Sequence, residues 1–184
     1  MPLFHFSEDP GIASFVPRPV RVPAVRPPGR EWLNGPLVWA IAAAHARLYL
    51  FPRDCPRIVV WPTAASTADD RARWLGDLAP GMQAVAFVER GWLARIASTT
   101  LYRYELPEAG FVDLDDAGMQ VSRETVRPLA VHAVSDLCAA LQASGTLLQP
   151  LDRLAPLRPV WQSSLQASGI RLRHAQGWAL EPAS

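Results

Sequence analysis

A chain of 184 residues, 49% apolar and with a mean hydropathy of +0.05, has the length for one well-buried domain and is short for two. No apolar run approaches the roughly 18 residues that cross a bilayer, and no basic-then-apolar leader is present, so the expectation is a cytoplasmic protein without membrane contact. The formal net charge of +1 gives no strong nucleic-acid signal, yet all 18 basic residues are arginine, whose planar fork grips carboxylate and phosphate wherever several gather.

Leu3-Phe4-His5-Phe6 reads as a short apolar strand that breaks into Ser7-Glu8-Asp9-Pro10. This sets the His5 ring beside hydroxyl and carboxylate groups, a suitable floor for a cleft, and one helical turn is expected before residue 16. In residues 17–30 the prolines are dense enough to forbid a helix or a central strand. Arg18, Arg21, Arg26 and Arg30, with no acid before Glu31, make this segment either a solvated arm or an ordered loop facing an anion.

A turn over Glu31–Pro36 leads into a buried strand, Leu37–Ile41, and then into a helix from Ala42 that ends near Phe51-Pro52. Tyr49, near its end, faces a cleft or joins the core. In the loop Arg53-Asp54-Cys55-Pro56-Arg57 the arginines either pair internally or meet a phosphate. Ile58–Trp61 is strand-like, and a helix follows through about Leu75, with Thr67 and Asp70 at capping-box spacing.

Met82–Val88 reads as a strand, Glu89–Ala97 as a helix, and Leu101–Leu106 as the cleanest alternating strand of the chain. Asp113, Asp115 and Asp116 lie in a turn that lacks calcium-loop spacing. Met119–Glu124 and Val126–Leu129 are expected to be short strands joined at a bend. Ser135-Asp136 should cap a helix stopped by Gly145, and a last helix is expected over Val160–Ala167, stopped by Gly169.

Cys55 and Cys138 are far apart without a CxxC, and His5, His45, His132 and His174 are scattered, so the spacing indicates neither a zinc site nor a disulfide. No Gly-rich phosphate loop or nucleophile elbow is present. What remains is polar punctuation at strand ends: His5 with Ser7, then Trp39-Ala40, then Ser122-Arg123-Glu124. Three strands presenting such groups to one cleft is how many nucleotide sites are built.

The whole chain resembles a family of uncharacterised bacterial single-domain proteins that carry His5-Phe6-Ser7-Glu8-Asp9-Pro10, Arg30-Glu31-Trp32-Leu33-Asn34-Gly35-Pro36, Tyr49-Leu50-Phe51-Pro52-Arg53-Asp54-Cys55-Pro56 and Leu101-Tyr102-Arg103-Tyr104-Glu105-Leu106-Pro107. More remotely, the order of elements is similar to that of the ADP-ribosyltransferase superfamily, including its NAD-dependent RNA 2′-phosphotransferase branch. The resemblance implies an α+β fold over residues 1–184, a mixed, mainly antiparallel split sheet with flanking helices, and NAD as the cofactor.

By the same resemblance His5 matches the first motif, Val38-Trp39-Ala40 with Tyr49 the second, and Met119–Glu124 the third. His5 and Glu124 are then the catalytic candidates. Ser7, Arg18, Arg21, Trp39, Tyr49, Arg53, Ser122 and Arg123 are the ligand-binding ones, with a nucleotide or phosphate as the ligand. Two alternatives stand beside this reading: a non-catalytic module that holds a nucleotide or an acidic peptide, and an interaction domain that docks a protein through the 17–30 arm.

Overall fold

The structure is a computed structural model in which residues 1–178 are described. Two compact units alternate along the chain, Met1–Ala46 with Leu101–Val134, and Arg47–Thr100 with the residues from Ser135 onward.

The first unit is a six-stranded antiparallel sheet. Its strands are β1 (Leu3–Ser7), β2 (Val38–Ala42), β5 (Leu101–Leu106), β6 (Val112–Asp113), β7 (Met119–Ser122) and β8 (Ala130–Val134), in the order β6-β7-β2-β1-β5-β8. Side chains alternate across a sheet, so the register assigns each to a face. Leu3 pairs with Ala42 and Leu106, and His5 with Tyr104, placing these residues on one face. That face forms a core with Val38 and Ala40, covered by Phe15 and Val126, whose backbones bridge. The opposite face carries Trp39 and Val121, packed with Leu33, Leu37 and Leu114.

The second unit is built on β3 (Arg57–Trp61), β4 (Ala84–Glu89), β9 (Thr146–Leu151) and β10 (Gln166–Ile170), in the order β10-β3-β4-β9, with β9 parallel to β4 and the other pairs antiparallel. Its helices are α1 (Ala68–Trp74), α2 (Leu93–Ser98) and α3 (Leu137–Ala143). Ile58, Val60, Val85 and Phe87 from the central strands meet Leu75, Leu154, Val160 and Leu165 in its core. Cys55 is fully buried, and burial pushes its thiol up to about 12, so it is no nucleophile at neutral pH.

Where the signals are local, elements form as the sequence predicts. β5 occupies Leu101–Leu106, Thr67 Oγ1 accepts from Asp70 N at the start of α1, and Asp136 caps α3, with Gly145 at φ 71° just beyond it.

Four expectations are corrected. The segment Ala43–Tyr49 is a 3-10 helix, because β2 runs up to Ala42 and Ala43 N donates to Pro2 O, leaving seven residues before the Leu50–Pro52 turn. No helical turn precedes residue 16, since Phe15 exchanges backbone hydrogen bonds with Val126. In the Val126–Leu129 segment only Val126 bridges, and the strand comes later, at β8.

The Val160–Ala167 helix is replaced by a 3-10 segment, Ala155–Gln162, containing Pro156 and Pro159, and then by β10. Gly169 lies inside that strand rather than ending a helix. A Cβ there would stand 2.5 Å from Leu172 Cδ1 and 2.8 Å from Trp161 Cζ2.

Candidate functional site

The first strand explains the local arrangement around His5. β1 pairs with β5 over all five of its residues but with β2 only at Leu3 and Phe4. Beyond Phe4 the two strands splay, and His5 Nδ1 takes up the Trp39 carbonyl at 2.9 Å in place of a ladder bond. A carbonyl only accepts, so this contact puts a proton on Nδ1. The ring also packs on Phe15, with centroids 4.6 Å apart.

The turn after β1 is held by its own hydrogen bonds. Asp9 N donates to Ser7 Oγ and Gly11 N to Asp9 Oδ1, an Asx arrangement that local polar side chains favour. Tyr104, buried at 1% exposure, donates its hydroxyl to Asp9 O at 2.6 Å and accepts from Ile12 N. Tyr104→Phe orphans both backbone groups and is expected to lower stability by about 1–3 kcal/mol in urea denaturation; an unchanged midpoint would show that the turn stands without it.

A groove of about 400 Å³ opens in the first unit, lined by Trp32, Gly110, Val112, Val121, Arg123 and Glu124. The Arg123 guanidinium stacks on the Trp32 ring at 5.1 Å. Gly110, at φ 82°, sits where a Cβ would come within 3.6 Å of Glu124 Oε2 and 3.7 Å of Ser122 Oγ, so carboxylate and hydroxyl converge on it. Ser122 is itself buried and accepts from Glu124 N, which fixes the bend after β7.

The predicted residues thus divide. Arg123 and Glu124 line the groove, Ser122 lies beneath Gly110, and Trp39 pairs with Val121 of the groove floor. Trp39 is overlain by Arg26 at 5.8 Å, and its buried indole N–H has no acceptor among the described residues. His5 and Ser7 lie on the other face of the sheet, the one that also carries Ser122.

The 17–30 segment is tied down. Arg18 bridges Leu37, the Asn34 side chain bonds both backbone groups of Ala24, and Arg30 donates to Leu114 O, while the Arg18 and Arg21 side chains are exposed. Tyr49 and Arg53 belong to the second unit. There Tyr49 lies under the Arg57 guanidinium at 5.6 Å, and the Arg53 carbonyl accepts from Arg171.

Sequence reasoning missed Trp32 and Gly110. Trp32 sits in a stretch that reads as a turn and Gly110 between the strand closed by Pro107 and the acidic turn after it; a tryptophan between Glu31 and Leu33 just before Asn-Gly-Pro was the available signal, since so large an aromatic in a turn needs something to pack against.

Fold and site together define an α+β protein with two mainly antiparallel sheets and an aromatic, arginine-bearing groove on the larger one. The sequence model of a family described as a family of unknown function, DUF6886, matches residues 4–175, and the chain belongs to that family. Neither a curated protein nor a solved structure matches the chain. No helix among the described residues is long and apolar enough to cross a membrane.

Proposed function

We propose that the first unit binds a nucleotide in the Trp32–Arg123–Glu124 groove, with NAD as the ligand and transfer of its ADP-ribosyl group, or a related phosphotransfer, as the reaction. The observation that carries this reading is the Arg123 guanidinium held over Trp32 in the same groove as Glu124. An indole face suits a planar base, a guanidinium suits a phosphate oxygen pair, and a carboxylate suits a ribose diol. The volume falls within the usual range of small-molecule sites, and the missing side chain at Gly110 allows close approach to backbone.

The sheet order supports the finer, ADP-ribosyltransferase-like reading. β1, β2 and β7, the strands bearing the three motifs of the resemblance, are consecutive neighbours. In this scheme Glu124 holds a ribose hydroxyl and faces the positive charge that develops as nicotinamide leaves, while His5, on the opposite face of the sheet, takes no part in the groove.

The test is a thermal-shift titration with NAD, ADP-ribose and inorganic phosphate on the wild type and on Arg123→Ala. NAD should stabilise the wild type in proportion to the logarithm of its excess, about 2.7 kcal/mol at a hundredfold over Kd. The shift should be lost in Arg123→Ala, whose exposed position leaves the fold intact. No shift with any of the three ligands removes the nucleotide reading altogether.

A further inference from the structure

A sheet ends in rows of unpaired backbone groups, and chains normally blunt them with charge, proline, glycine or brevity. Three of the four sheet edges here are treated so. β6 is two residues long, β9 contains Pro150, and β10 contains Gly169 and runs into Arg171, at φ 58°.

The fourth is different. β8, Ala130-Val131-His132-Ala133-Val134, pairs with β5 alone among the described residues and carries no acid, lysine, arginine, proline or glycine. Val131 is 47% exposed, and Leu129 beside it is 66% exposed.

We propose that β8 pairs antiparallel with β8 of a second copy of this chain, about a two-fold axis at His132, joining the two six-stranded sheets into one. Pairing centred on His132 sets Val131 against the partner's Ala133 and Ala130 against the partner's Val134, a large side chain opposite a small one at each position.

Arg127 stands three residues before the strand and Asp136 two residues after it, so antiparallel pairing brings opposite charges together at both ends. A net charge of +1 offers little general repulsion between copies. The contact is isologous and closes at two chains, because the other end of the sheet, β6, is too short to propagate it. This inference uses none of the groove residues and is independent of the nucleotide reading.

Sedimentation equilibrium tests it with four samples: the wild type, His132→Glu, His132→Lys, and an equal mixture of the two variants. His132 is exposed, so neither substitution disturbs the core, and each sets like charges directly opposite across the axis. The wild type should sediment at twice the 20.2 kDa chain mass, each variant at the single-chain mass, and the mixture again at twice that mass. A monomeric wild type, as expected if the edge instead takes a peptide of another protein, overturns the proposal. So does a dimer that persists in both variants, or a mixture that stays monomeric.

Discussion

Replacing Arg57 by alanine is expected to lower the unfolding free energy by about 3 kcal/mol. Arg57 opens β3 in the second unit and is 3% exposed. Its Nε and one terminal nitrogen both donate to Leu48 O, and the other terminal nitrogen donates to Cys55 O at 3.0 Å. The guanidinium also lies over the rings of Tyr49 and Phe51. One side chain therefore fastens the end of the 3-10 segment to the loop before β3. Burial opposes the charge and lowers the guanidinium to about 10. Even so, the fork supplies donors that no other described side chain offers to Leu48 O or Cys55 O.

Alanine leaves both carbonyls buried without partners, at roughly 1–3 kcal/mol each, and opens a cavity, while relief of guanidinium desolvation offsets part of the loss. Arg57→Met separates the causes. It restores most of the volume but no donor, so its urea midpoint should lie between those of the alanine variant and the wild type. If methionine matches the wild type, packing and not the carbonyl clasp holds this loop.

Arg57 also shows where sequence reasoning stops. In the string Arg53-Asp54-Cys55-Pro56-Arg57 the two arginines look equivalent, both flanking an acid. The fold puts Arg57 in the core on carbonyls and leaves Arg53 exposed, while Asp54 lies 4.0 Å from His174, more than a hundred residues away in the chain. Nothing local distinguishes them. What was legible depends on near neighbours: the Thr67 and Asp136 caps, the alternation of β5 and the stop at Gly145.

What was not legible depends on distant strands. β9 and β10 exist because β4 and β3 offer edges to them, and the Gln166–Ile170 sequence, with its Ser-Gly pair, carries little strand preference of its own. The site divides in the same way. His5, Trp39 and Glu124 could be picked out as polar or aromatic punctuation. A shift of one residue in the β1–β2 register would bring His5 to the face of Trp39, however, and only the observed pairing separates them.

Glu124→Gln is expected to reduce nicotinamide release from NAD by about 10²–10³-fold while leaving NAD-induced stabilisation in place. The carboxylate converges with Ser122 Oγ on Gly110, and Glu124 N is already anchored to that hydroxyl, so glutamine fits the same space with the same backbone support. What it lacks is the negative charge. A neutral amide still accepts a hydrogen bond from a ribose hydroxyl, which preserves binding, but it cannot offset the positive charge that builds at the anomeric carbon in the transition state.

The expected signature is thus a fall in kcat with the thermal shift retained, opposite to Arg123→Ala, where the shift itself disappears. Wild-type protein that is stabilised by NAD yet releases no nicotinamide would leave the groove as a binding site and remove catalysis from the proposal. Equal release by wild type and Glu124→Gln would move the reacting charge away from the bend after β7, to a carboxylate outside the groove.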